Sequence, residues 1–177
     1  MNNNSGRAIA LIIAAVASTN AEAAGHCTAE ETTYFSCTVV KSSKVISLCG
    51  GSLEAVIAGA PKSEFWLQYR FGSLGKVELA YPEKRSGSLN RFSFDLSQSN
   101  GAHNYSTSFK NKAATYSIEW MAGTDEPKNQ FFGVSISENG GFQQLPCRGT
   151  PEHEFASWSP NFSSLVVLGH EEARPAR

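Results

Sequence analysis

An excess of either charge is missing from this sequence: fifteen Lys and Arg stand against sixteen Asp and Glu, a formal net charge of −1. Nucleic-acid affinity comes from basic surfaces that release counterions, so no nucleic-acid partner is expected, and Lys110-Asn111-Lys112 is only a loop-sized cluster. Aspartate is scarce. Asp95 and Asp125 alone leave few members for an Asp-oriented catalytic triad, and no Gly-x-Ser-x-Gly nucleophile elbow occurs. Long apolar runs are lacking too. The stretch from Ala8 to Ser18 is about half the ~20 residues that cross a bilayer, so no stable membrane span is expected.

Metal and cofactor signatures are likewise missing. His26, His103, His153 and His170 fall in loops or tails without an HExxH or comparable spacing. No cysteine pair has Cys-x-x-Cys spacing. The segment Gly72-Ser73-Leu74-Gly75-Lys76 has glycines too close for a phosphate loop, with Val77 in place of Ser or Thr. No cofactor and no metal are expected. The local acid pairs Glu30-Glu31, Glu152/Glu154 and Glu171-Glu172 read as solvated turns and ends rather than as catalytic carboxylates facing each other across a cleft.

What is present begins with a leader. One base, Arg7, precedes the apolar stretch, and small residues follow it, so residues 1–23 read as a signal peptide cut after Ala23. Gly25-His26 before Cys27 argues against lipidation of that cysteine. The expected layout is a leader at 1–23, a single β-domain at 24–160 and a C-terminal segment and tail at 161–177. Four cysteines in an exported chain make disulfides the default.

Period-two alternation recurs between polar breaks and predicts an all-β fold. Strands are expected near 31–40, 44–50, 64–71, 76–81, 90–96, 103–109, 114–121, 131–137 and 142–147. These eight or nine strands would form an antiparallel meander, folded as a flattened barrel or a two-sheet sandwich. The stretch 51–63 reads as a crossover or a short helix.

Alternation also sets registers. Phe71 is expected opposite Val77, Tyr69 opposite Leu79 and Leu67 opposite Tyr81, which brings Arg70 beside Glu78 on the other face. Downstream, Phe92, Phe94 and Leu96 face Phe109, Thr107 and Tyr105, which in turn meet Tyr116, Ile118 and Trp120. Phe132, Val134 and Ile136 continue the series. Asn139-Gly140 predicts a type I′ hairpin with Val134 opposite Leu145 and Phe132 opposite Cys147. If Thr38 pairs with Leu48, Cys37 lies opposite Cys49. The expected disulfides are then Cys37–Cys49 and Cys27–Cys147, with Cys27–Cys37 and Cys49–Cys147 as the rival, since sequence alone does not fix connectivity.

Candidate binding residues come from the outward phase. Trp66 shares it with Gln68 and Arg70, and Glu78 is expected beside Arg70. An outward Trp next to Arg has the composition of a protein-recognition hot spot, with packing beneath a covering loop as the competing reading. Trp158, in a loop after the last strand, is equally open.

The pieces FSC…KVISLC, LQYRFG…VELAYP, YSIEW and GVSI…GG…LPC, in this order from Cys27 to Gly149, resemble a group of small exported bacterial proteins of uncharacterised function. The resemblance implies a periplasmic or secreted location and assigns no catalytic residue. A looser likeness, of architecture alone, is to periplasmic lysozyme inhibitors. The leading expectation is a non-enzymatic β-domain that binds a macromolecule of the bacterial cell envelope, a protein in the first place, as an inhibitor or immunity factor does. A small envelope hydrolase or carbohydrate-binding enzyme is the rival, and a ligand carrier follows if the meander closes into a hollow barrel. Oligomeric state is not legible.

Overall fold

The computed structural model describes residues 25–61, 64–99, 102–123 and 130–153. The expected leader at 1–23, Trp158 and the expected tail at 161–177 lie outside the described residues. One antiparallel sheet holds β1 (Thr32–Thr38), β2 (Lys44–Gly50), β3 (Leu67–Ser73) and β4 (Lys76–Tyr81), with the two-residue β10 (Glu152–His153) beside β1. The other holds β5 (Ser93–Ser99), β6 (Ala102–Asn111), β7 (Ala114–Gly123), β8 (Phe131–Glu138) and β9 (Gly141–Pro146), each beside its sequence neighbour. The result is a two-sheet sandwich. A short helix α1 (Leu53–Ile57) follows β2, capped by the Ser52 hydroxyl, which accepts from Ala55 N at 3.1 Å.

The second sheet has the registers that alternation predicts. Phe94 faces Thr107, Leu96 faces Tyr105, Phe109 faces Tyr116, Ile118 faces Val134 and Val134 faces Leu145. Asn139 and Gly140 take φ of 48° and 79°, both in the left-handed region that the tight hairpin turn requires.

Two registers in the first sheet differ from expectation. Thr38 pairs with Val45 and Cys37 with Ile46, so Cys49 is not opposite Cys37. The physical reason is parity. The apolar side chains of β1 that face the core are Phe35 and Cys37, while those of β2 are Ile46 and Leu48. Only a register pairing odd with even positions puts them on one face. Tyr34 is the extra residue of a bulge, between Thr33 opposite Cys49 and Phe35 opposite Leu48. The bulge lets Tyr34 and Phe35 both be buried. The Tyr34 hydroxyl donates to Gly51 O at 2.6 Å and accepts from Leu53 N at 3.1 Å.

Between β3 and β4, Tyr69 faces Tyr81 and Phe71 faces Leu79, two residues from the expected alignment. A shift of two preserves the face, so these four still point to the core. A second bulge follows, with Glu78 as its extra residue, after which Gly72 faces Val77. A Cβ at Gly72 would stand 2.2 Å from Lys76 O, so the close approach of the two strands needs glycine here. Val77 turns outward and is 45% exposed. The expected Arg70–Glu78 pair does not form, because Arg70 lies opposite Ala80 and Glu78 pairs with Lys44.

The core joins both sheets. Phe109 of β6 stacks on Tyr116 of β7 at 4.9 Å and on Tyr81 of β4 at 4.5 Å, with Tyr69 and Phe92 against its flanks. Burial pushes the Tyr69 hydroxyl well above the usual tyrosine range, and neighbouring Tyr116 adds to that.

All four cysteines are in disulfides, connected as Cys27–Cys49 and Cys37–Cys147. This corrects both expected pairings. Cys37 points into the sandwich at the end of β1, where Val39 bridges Cys147 of the chain leaving β9. Cys49 points to the opposite face of the sheet and holds Cys27 of the N-terminal segment there. Among the described residues no helix is long and apolar enough to cross a membrane.

Candidate functional site: a braced cationic groove

The outward face of the first sheet is covered. Residues 25–31 lie across it, anchored by the Cys27–Cys49 disulfide and by His26 N donating to the Ser47 hydroxyl at 2.9 Å. Beneath this segment, Glu31 receives Arg70 in a two-pronged pair, Nη1 to Oε2 at 2.6 Å and Nη2 to Oε1 at 2.8 Å. Thr28 N donates to the same carboxylate at 2.9 Å and Arg85 Nη2 at 2.5 Å. Burial pushes the Glu31 carboxyl up. The hydrogen bonds from Arg70 and Thr28 and the charges of Arg70 and Arg85 more than offset this, holding it below the usual carboxylate range.

The network continues into the loop after β4. Arg70 Nε donates to Gln68 Oε1 at 2.9 Å, and Gln68 Nε2 donates to Pro82 O at 2.8 Å. The Arg85 guanidinium lies 4.1 Å over the Trp66 ring. At the far end of the loop, Leu67 N donates to the buried Ser88 hydroxyl at 2.8 Å. Residues 82–88 are thus fixed from inside by Trp66, Gln68, Arg70 and Glu31.

The outer side of that loop is one wall of a groove of about 680 Å³. Its floor includes Leu79 and Tyr81 of β4, and the turn between β6 and β7 supplies Asn111 and Lys112. Lys84, Arg91 and Lys112 ring it with Glu83 as the acid. Among the described residues no ion pair engages these three cations; the ion pairs there use Lys44, Arg70 and Arg85. Among the described residues the lining holds one carboxylate and neither histidine nor cysteine. Such a wall attracts and orients anions, and it does not offer the two facing carboxylates of a glycosidase.

The structure therefore separates the sequence candidates. Trp66 is half-buried beneath Arg85, and Gln68 and Arg70 are each 7% exposed. Glu78 is spent on Lys44, away from Arg70. The sulfurs of Cys27 and Cys49 lie near Glu31, but the disulfide removes the thiolates a metal would need, and the carboxylate is occupied by two arginines. Lys84, Arg91 and Lys112 were not legible as a site. The sequence signal was the basic triplet at 110–112 together with Lys84-Arg85 and Arg91, which look unrelated until two sheets bring them to one opening.

No family model, curated protein or solved structure matches the chain.

Proposed function

We propose that this is a non-enzymatic, exported binding domain of the bacterial cell envelope whose groove takes an acidic segment of a partner protein, in the manner of an inhibitor or immunity factor. One observation carries the reading: Lys84, Arg91 and Lys112 surround a pre-shaped groove with no acidic partner among the described residues. Unpaired cations at a rigid concave surface raise the local concentration of anions and fix their register. The brace supports this further, since a wall already held in place loses little conformational freedom on binding. Two disulfides suit an oxidising compartment outside the cytoplasm. A hollow carrier fits less well, because stacked rings fill the space between the sheets.

Titration of the protein with a labelled Glu-rich extended peptide and with a Lys-rich peptide of the same length tests the reading. The acidic peptide should bind, weaken as salt is added, and be lost in the K84E/R91E/K112E variant. Periplasmic partners captured by the parent protein and released by that variant should present acidic surface. Equal binding of both peptides, or binding indifferent to the triple charge reversal, would sink it.

A further inference from the structure

The sandwich has four sheet edges among the described residues, β10, β4, β5 and β9, and three of them are guarded. β4 carries Lys76, Glu78 and a bulge, β5 carries Asp95, and β10 is two residues long. β9, Gly141–Pro146, is Gly-Phe-Gln-Gln-Leu-Pro and has no charge at all. Backbone direction along it follows from two hydrogen bonds. Cys147 N donates to Phe132 O of β8 at 2.8 Å, so the groups of Cys147 face β8. Pro146 O accepts from Val40 N at 2.8 Å, so the groups of Pro146 face away from β8. Alternation assigns the same outward direction to Gln144 and Phe142, where, among the described residues, no further strand pairs with β9. Phe142 is 67% exposed.

We propose that β9 pairs with β9 of a second copy of this chain, antiparallel about a twofold axis at Gln143. In that register Phe142 stands opposite the partner's Gln144, and Gln144 opposite the partner's Phe142. Every outward N–H and C=O of these two residues then meets its complement, because an interface about a twofold must be complementary to itself. The occupant is a second copy because a neutral strand meets itself without like charges across the seam. On β5 a like strand would bring Asp95 toward its own copy, and the bulge at Glu78 breaks the regular backbone of β4. None of Gly141–Pro146 lines the groove, so pairing leaves it open, and the inference does not depend on what the groove binds.

Sedimentation equilibrium of the exported protein from about 1 µM to about 1 mM reads the association over the range where weak dimers dissociate. Gln144→Pro deletes an N–H that β8 does not use, and Phe142→Lys places on the edge the charge it lacks. The parent should move from monomer to dimer mass with concentration, and each variant should raise the dissociation constant about tenfold or more, with thermal melts still cooperative. If Gln144→Pro melts without cooperativity, Phe142→Lys decides alone. A parent that is monomeric throughout, or a dimer indifferent to Phe142→Lys, overturns the proposal.

Discussion

Glu31 and Arg70 face each other through two hydrogen bonds, with side chains 3% and 9% exposed, across 39 residues of sequence. Removing one partner of a buried pair leaves the other charge unpaired and typically costs about 3–5 kcal/mol. Glu31→Ala should lower the urea midpoint accordingly. Arg85 reaches the same carboxylate with a side chain 52% exposed, so Arg85→Ala should cost less than about 1 kcal/mol beyond its packing on Trp66. Similar small losses in both variants would show that the pair is not a brace.

The same carboxylate makes stability depend on pH. Its folded pKa lies below the ordinary value, so the unfolded chain binds the proton more readily. The stabilisation is present above the unfolded pKa, about 4.3, and is lost as pH falls through the lower folded value. Urea midpoints between about pH 2 and pH 6 should rise with pH, and Glu31→Gln should flatten that part of the profile.

Gln68 offers a separate handle, since it holds the Pro82 carbonyl without lining the groove. Gln68→Ala leaves the buried Arg70 Nε donor and the part-buried Pro82 carbonyl unmet, worth about 1–3 kcal/mol of stability. It should also weaken acidic-peptide binding in titrations in which the groove's own charges are intact. Unchanged affinity would mean that the loop keeps its position without the brace.

Non-reducing peptide mapping should find Cys27 linked to Cys49 and Cys37 linked to Cys147. The chain-entropy model assigns a loop of 22 residues about 3.4 kcal/mol and one of 110 about 4.8. Replacing Cys37 and Cys147 together should therefore cost more than replacing Cys27 and Cys49. The second change carries its own signature: it loosens the segment over Arg70, so the Glu31-linked pH dependence should shrink with it.

Val77 and Leu79 test the corrected strand alignment. Val77 is 45% exposed beyond the bulge, whereas Leu79 faces Phe71 and packs on the core. Val77→Ala should stay within about 0.5 kcal/mol. Leu79→Ala should cost about 2 kcal/mol or more, read from equilibrium unfolding. The reverse order would restore the Phe71–Val77 pairing.

The second sheet was legible because nothing interrupts its alternation from Phe94 to Leu145 and because Asn139-Gly140 fixes one hairpin outright. The first sheet was read three residues off between β1 and β2, where the core-facing parity of Phe35 and Cys37 was missed, and two off between β3 and β4, where a bulge at Glu78 inserts a residue that a strict period of two does not register. The disulfides followed that slip, since Cys37 was placed by its opposite neighbour. Gln68 and Arg70 were rightly put on the face away from the core. What covers them, residues 25–31, has no periodicity of its own and depends on a disulfide whose pairing the sequence leaves open. The groove needed Lys84, Arg91 and Lys112 to meet from two sheets, a tertiary fact with no local signature.

The bond between Cys37 and Cys147 also changes how the molecule would respond to cutting and pulling. A protease that nicks any loop between those residues yields two fragments still joined by sulfur, and the strand pairing at Val39 and Cys147 can hold them in place. Tension applied through the two ends of the chain passes directly from Cys37 to Cys147. That covalent path bypasses β3 to β9, including the strands that form the groove, whereas β2 stays on a parallel path through Cys27–Cys49.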